Sequence, residues 1–266
     1  MFELKIIESD KDENSTQNRT SIFRKIVESA ADIVDDVDIK LNDEGVSMQF
    51  MDAMNVAMMD VLLTKNMFDE YRCDRSLTLG LKIKEFSKIL KGIKLDTGTT
   101  FYLHCDDNPD TLNMVFEGEA FVSNYDMKLQ NIGSECYDIP QIDFTAEAEM
   151  KCSDFLYMRK AVGNFSEYIQ MNACKTCINF SQKGEIIDSN MKFKAPETGK
   201  FDMKLNVTED VWVEIPMKYI NCITKTAGFC QTVKICLGNN APVFFEFMVG
   251  DYGHIRYYIA PKISDE

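Results

Sequence analysis

Lys84-Glu-Phe-Ser-Lys-Ile-Leu-Lys-Gly-Ile93 carries two patterns at once. Phe86, Ile89, Leu90 and Ile93 stand at i, i+3, i+4 and i+7, one apolar face of an α-helix, while Lys84, Lys88 and Lys91 recur on the opposite side. Three more segments read the same way. Phe23, Ile26, Val27 and Ala30 form the first stripe, Phe155, Met158, Val162 and Phe165 the third, and Met217, Ile220, Ile223 and Ala227 the fourth. Each has its own cations: Arg24 and Lys25, then Arg159 and Lys160, then Lys218 and Lys225.

The spacing of these helices implies duplication. The first starts 63 residues before the second (23 to 86), and the third 62 before the fourth (155 to 217). The rest of the chain reads as short strands with turn signals. Val37–Leu41 alternates and runs into Asn42-Asp-Glu-Gly45; Thr99–Cys105 and Thr111–Phe116 flank Asp106-Asp-Asn-Pro-Asp110; Thr232–Leu237, Val243–Val249 and His254–Ala260 follow late in the chain. The expected class is α+β, with two similar domains of antiparallel sheets carrying two short helices each. The expected boundaries are 1–129 and 142–266, joined by an aperiodic connector at 130–141 that ends at Pro140. Ser9–Ser21, polar throughout, reads as a solvated loop.

With 266 residues, 45% hydrophobic and 27% charged, the composition is that of a globular protein. There is no apolar run long enough for a membrane helix, and the start is unlike a signal peptide, so a soluble intracellular protein without a membrane role is expected. Lys and Arg total 29 against 43 Asp and Glu, a formal charge of −14. Such a field opposes a protein that coats itself in nucleic acid, but it does not preclude a local basic surface. Positive charge on the outward face of all four helices is that kind of surface. Two readings fit it: ordinary solvated helix faces, which commonly carry lysine, or a nucleic-acid duplex held through its phosphates without readout of sequence.

Nothing in the chain suggests catalysis. The two histidines, His104 and His254, lie in strands away from any metal or triad spacing, and phosphate loops and nucleophile elbows are missing. Nine scattered cysteines read as reduced thiols. The one close pair, Cys174-Lys-Thr-Cys177, lacks the second pair of a four-thiolate zinc site, and on a strand residues three apart face opposite ways. Packing is the expected role; no metal and no cofactor are expected. Asp106–Asp110 lacks the Gly and terminal Glu of a calcium loop and reads as a hairpin turn.

Several strings make the chain similar to a known family. Phe68-Asp-Glu-Tyr-Arg-Cys-Asp74, Ser87-Lys-Ile-Leu-Lys91, Asn124-Tyr-Asp-Met-Lys-Leu129, Tyr257-Tyr-Ile-Ala-Pro-Lys-Ile263 and Gly45-Val-Ser-Met-Gln-Phe-Met-Asp-Ala-Met-Asn-Val56 resemble the eukaryotic sliding clamp, proliferating cell nuclear antigen. The resemblance spans nearly the whole chain in order. It implies a nuclear, non-enzymatic scaffold for DNA replication and repair: a homotrimeric ring around duplex DNA that serves as polymerase processivity factor. The implied partners are DNA polymerases, the clamp loader, and nuclease- and ligase-type proteins bearing short peptide motifs.

By position, Arg24, Lys25, Lys88, Lys91, Arg159, Lys160 and Lys225 match basic residues of the family's inner wall. Lys84 and Lys218 join them on helical phase alone. Ala31 and Phe121 stand where the family often has lysine. The implied partner-peptide pocket comprises Met51, Val56, Met58, Ile139, Pro242, Tyr258, Ala260 and Pro261, with partner main chain pairing beside Ala260-Pro261. Tyr137 and Asp138 replace a usual leucine and glycine in the connector. Head-to-tail ring closure would pair the edge within 120–129 with that within 185–193, through Tyr125 and Met127 on one side and Ile187 and Met191 on the other. Lys175 matches the position that accepts ubiquitin-type modifiers. The rival readings are a subunit of a heterotrimeric checkpoint clamp and a protein-interaction scaffold that binds no DNA.

Overall fold

The computed structural model describes residues 1–8, 18–94, 98–135, 137–195 and 203–262. Most of the Ser9–Ser21 segment lies outside these, but Arg19, Thr20 and Ser21 already belong to the first helix, so the helix begins earlier than the polar run suggests. The described residues fall into two compact units. The first draws on Met1–Ala53, Met59–Tyr137 and Val249–His254, the second on Met54–Met58, Asp138–Met248 and Ile255–Glu266. Each unit therefore incorporates a short segment from the other half of the sequence.

In the first half the chain runs β1 (Phe2–Ile7), α1 (Arg19–Ala31), β2 (Asp36–Leu41), β3 (Gly45–Met51), β4 (Ala57–Thr64), β5 (Glu70–Cys73), β6 (Leu77–Lys82), α2 (Ile83–Gly92), β7 (Thr100–Cys105), β8 (Thr111–Gly118) and β9 (Phe121–Lys128). The second half repeats that succession: β10 (Ala146–Lys151), α3 (Cys152–Val162), β11 (Tyr168–Cys174), β12 (Cys177–Lys183), β13 (Asp188–Lys194), β14 (Lys204–Val207), β15 (Val211–Pro216), α4 (Met217–Ala227), β16 (Thr232–Leu237), β17 (Val243–Met248) and β18 (Gly253–Ile259). The strand order repeats as well. Order β5-β1-β7-β8-β9 in one half corresponds to β14-β10-β16-β17-β18 in the other, and β6-β2-β3-β4 to β15-β11-β12-β13. The α1–α3 and α2–α4 starts lie 133 and 134 residues apart (19 to 152, 83 to 217). The duplication legible in helix spacing is thus complete at the level of topology, and the pairings β1–β5, β2–β6, β8–β9, β11–β12 and β12–β13 are antiparallel.

The helices begin in a common way. None has a side-chain N-cap. Instead α2, α3 and α4 follow directly on a strand, and a backbone carbonyl from a nearby loop accepts the first helical N–H. Ile83 donates to Asp35 (3.0 Å), Cys152 to Gln231 (2.8 Å) and Met217 to Glu167 (2.7 Å). Otherwise-orphaned donors are satisfied by the fold itself, which fixes each helix against its sheet.

Burial explains the phasing. Phe23, Ile26, Val27 and Ala30 of α1 and Phe86 and Leu90 of α2 are buried. The ring of Phe23 meets those of Phe86 (6.2 Å) and Phe101 (5.8 Å), and Phe101 stacks on Phe116 (4.8 Å). In the second unit Phe155 meets Phe245 edge-on (6.0 Å), and the Thr226 and Tyr257 hydroxyls share a buried hydrogen bond of 2.6 Å. Each of these large side chains contributes roughly 1.5–3 kcal/mol through burial. The third stripe stops short of expectation. α3 ends at Val162 because Gly163 turns the chain at φ 77°, and Phe165 is left exposed beyond it. A Cβ at Gly163 would lie 2.4 Å from the Phe165 ring.

The connector starts by docking on the first unit. Gln130 bridges to Gly80, whose missing Cβ would lie 2.1 Å from the Gln130 carbonyl oxygen. The backbone N–H groups of Ser134 and Tyr137 then donate to Asp38 Oδ2 (2.7 Å) and Gln49 Oε1 (2.8 Å). Among the described residues no helix is long and apolar enough to cross a membrane.

Candidate functional site

The four helices invert the charge of the chain. They hold ten Lys and Arg against three acids (Glu28, Glu85 and Asp154), leaving 19 basic and 40 acidic residues for everything else. Because each helix turns its apolar stripe to a sheet, its cations face away from the core.

On the first unit α1 and α2 lie side by side. Lys88 pairs with Glu85 one turn back (2.7 Å), Lys91 approaches Glu28 of α1 (3.8 Å), and Arg24 approaches the same carboxylate (3.7 Å). Lys84 pairs with Asp35, whose carboxyl is held below its ordinary value by that hydrogen bond. Partial burial, then the neighbouring Arg24 charge, lowers the Lys25 pKa. Lys84, Lys88 and Lys91 are exposed, on an outward face shared by one helix. Three acids, Glu28, Asp35 and Glu85, among five cations orient the side chains without cancelling their charge.

On the second unit α3 packs beside α4. Arg159 is the link: its Nε donates to Asn221 Oδ1 (2.7 Å) and its Nη1 to the Gly163 carbonyl (2.7 Å). Two of its five donors are thus committed to joining the helices and closing the end of α3, and burial lowers its pKa. Lys160, Lys218 and Lys225 are exposed, and the Lys218 ammonium sits 4.5 Å from the Tyr219 ring centroid.

The residues expected to receive partner peptides divide. Met51, half-buried, belongs to the first unit. Val56, Met58, Ile139, Pro242, Tyr258, Ala260 and Pro261 belong to the second. Val56 and Ala260 are brought together by a backbone hydrogen bond, Ala260 N–H to the Val56 carbonyl (2.8 Å). Tyr258 leans on Phe244 (4.9 Å), which stacks on Phe144 (5.8 Å). This aromatic ladder was not foreseen from the sequence. Its signal was Val243-Phe-Phe-Glu-Phe-Met248, where alternation puts Phe244 on the face opposite Phe245. Met58 is 8% exposed and serves mainly as packing beneath the surface.

The two expected edges are real edges within their sheets. β9 ends the order β5-β1-β7-β8-β9, and β13 ends β13-β12-β11-β15. Tyr125, Met127 and Met191 are half-buried, while Ile187 is exposed just before β13. Lys175 is exposed in the two-residue turn between β11 and β12.

That same turn overturns the expectation for the cysteines. Cys174 and Cys177 are not on opposite faces of one strand. They end one strand and begin the next, face each other in register, and their sulfurs are 3.2 Å apart. Among the described residues no three metal-ligating side chains cluster. Asp106–Asp110 is a turn, in which Asp107 pairs with Arg75 (3.3 Å) and with the amino terminus. His104 stacks on Tyr102 (5.0 Å), and His254 Nε2 lies 3.4 Å from Asp60 Oδ2.

With this geometry established, comparison with known proteins is decisive. The family model for the proliferating cell nuclear antigen N-terminal domain matches residues 14–136, and that for the C-terminal domain matches residues 138–262. The chain belongs to the proliferating cell nuclear antigen family. A relative from Chaetomium thermophilum, named proliferating cell nuclear antigen, is 31% identical over 253 residues, covering 93% of this chain and 97% of its own. The chain is a DNA sliding clamp with the two-domain α+β clamp fold, and the family's homo-oligomeric, processivity-factor character goes with it. DNA and replication or repair proteins are its partner classes. Family membership favours this reading over a checkpoint-clamp subunit and over a scaffold that ignores DNA.

Proposed function

We propose that three copies close head-to-tail into a ring in the nucleus, line its opening with the basic faces of all four helices, and slide on duplex DNA without performing chemistry. The observation that carries this reading is the charge inversion: ten cations against three acids on the helices of a chain whose remainder is strongly acidic. A closed ring needs only weak phosphate contacts, because topology retains it, and the acidic remainder suppresses binding elsewhere. Lys84, Lys88, Lys91, Lys160, Lys218 and Lys225 touch the backbone directly in this account. Arg24 and Lys25 supply charge from α1, and Arg159 holds α3 to α4 while adding to the local field.

Ring closure uses β9 of one copy and β13 of the next, which removes two unpaired edges per junction. Tyr125 and Met127 meet Ile187 and Met191 there. Partner peptides dock a short helical turn on Val56, Ile139, Pro242 and Tyr258, with Met58 packed beneath them. The Ala260 N–H is already committed and Pro261 has none, so a strand alongside must donate its own N–H groups. Lys175 is the modifier-attachment residue, and 1–129, 130–141 and 142–266 are the two clamp domains and their connector.

Light scattering on the purified chain tests assembly. The expected mass is about three times 30.5 kDa. Tyr125→Asp with Met191→Asp places a carboxylate at each edge and should yield a folded monomer. A wild-type monomer, or a double variant that still trimerises, refutes this mode of closure.

A further inference from the structure

We infer that Cys174 and Cys177 form a reversible dithiol–disulfide site at the tip of the β11–β12 hairpin, oxidised by small disulfides of the glutathione type. The inference is independent of the clamp reading, since it rests on the geometry of one turn.

The two residues are direct partners in the antiparallel ladder, separated only by Lys175 and Thr176. Directly opposed residues have Cα atoms about 4.5–5.5 Å apart, inside the roughly 4.4–6.8 Å range a disulfide spans. Their sulfurs, 3.2 Å apart, are already in contact as free thiols. The hairpin is held in place from below: Ala173, Ile178, Met171 and Phe180 are buried at 1% exposure or less. Bond formation therefore needs a small side-chain rotation and no change in strand register.

The pair is also asymmetric in a useful way. Cys174 is half-exposed, and hydrogen bonding from Thr176, whose Oγ1 lies 3.4 Å from its sulfur, holds its pKa down at about 7. Cys177 is 7% exposed, and burial keeps its proton on, with Lys192 of β13 opposing that effect. Lys194, its register partner on β13, and Lys175 in the turn add further positive charge nearby. An accessible thiolate backed by a covered thiol is the arrangement of an attacking and a resolving cysteine.

The chemistry balances without further reagents. The Cys174 thiolate attacks one sulfur of the small disulfide and expels the other half as a thiolate, which takes up a proton from solvent. Cys177 then gives its proton to solvent and attacks the Cys174 sulfur, expelling the second small thiol. Two protein S–H bonds become one S–S bond, and one small disulfide becomes two thiols; excess thiol reverses both steps.

Trypsin makes the product visible, because it cuts after Lys175, between the two cysteines. The full chain is equilibrated with oxidised and reduced glutathione near pH 7, its free thiols are alkylated, and it is digested without reductant. The expected product is 161–175 linked to 176–183, which disappears when reduced glutathione is in excess. Cys177→Ser should trap one glutathionyl group on Cys174, whereas Cys174→Ser should leave Cys177 as a free thiol. With its pKa about 7, Cys174 is about half thiolate at neutral pH, whereas burial raises the Cys73 thiol and keeps it protonated there. Even after allowance for its lower intrinsic nucleophilicity, iodoacetamide should label Cys174 faster than Cys73. Stable glutathionylation of Cys174 in the wild type, or absence of the linked peptides under oxidising conditions that modify other cysteines, would overturn the inference.

Discussion

Replacing Lys88, Lys160 and Lys225 together with alanine removes one exposed cation from each of α2, α3 and α4. Lys88 pairs with Glu85, and both members of that pair are more than half exposed. Each such surface change alters stability by about 0.5 kcal/mol or less, so melting of the triple variant should move by no more than roughly 3–6 °C in a chain of this size. DNA binding should respond far more. If the ring loses an average of one phosphate contact per subunit, it releases about three fewer counterions, and the slope of log K against log salt flattens by about 2.7. Wild-type affinity should then fall about 40-fold more steeply than the variant's between about 50 and 200 mM salt. Fluorescence anisotropy with two unrelated 30-base-pair duplexes measures both slopes, and the slopes should agree between sequences. An unchanged slope with an intact oligomer would refute the assignment of these helix faces to DNA, and a slope dependent on sequence would refute phosphate-only contact.

Tyr258→Ala removes one end ring of the Phe144–Phe244–Tyr258 ladder. It should weaken a fluorescent peptide bearing two aromatic anchors by about 30-fold while leaving duplex affinity unchanged; equal peptide binding would exclude this surface. Phe155→Ala, at a fully buried ring against Phe245, should cost about 3–5 kcal/mol in urea unfolding, whereas Tyr157→Ala on the exposed face should cost less than about 0.5 kcal/mol. Similar losses would contradict the phase of α3. The single Tyr71 O–H proton is shared between the carbonyls of Asn42 (2.7 Å) and Gly45 (2.6 Å), and burial, followed by the neighbouring Cys73, holds its pKa above the ordinary 10.0. Its contribution to stability is therefore complete below pH 10 and declines as the pH rises above that value, because the unfolded phenol ionises first. The stability gap between wild type and Tyr71→Phe should narrow from about pH 8 to about pH 10.5; a constant gap would refute the linkage.

The helices were legible because their signal is local. A core-facing stripe repeats within one or two turns, so Phe23, Phe86, Phe155 and Met217 could be placed without knowledge of the sheets. Duplication was legible because equal spacing survives even where residues diverge. Features made by distant or folded-back segments were not. The inclusion of Met54–Met58 in the second unit depends on long-range packing that no window of sequence records. The Cys174–Cys177 contact was misread because a two-residue turn makes i and i+3 partners across a ladder, where a continuous strand would separate them. The third stripe ran too far because Gly163 ends α3 before Phe165. Arg159 reads as a basic residue of the third helix that matches the family's inner wall by position, but nothing in the sequence marks that two of its donors turn toward Asn221 and the Gly163 carbonyl.

Encirclement is most directly tested by retention on DNA of different topology. The chain is loaded with a clamp loader and ATP onto nicked circular DNA, the free protein is removed by gel filtration, and half the sample is cut once with a restriction enzyme. The account predicts retention on the circle and loss from the cut molecule, because weak phosphate contacts permit sliding off an end. Equal retention on both forms, or dependence on one sequence, would contradict it.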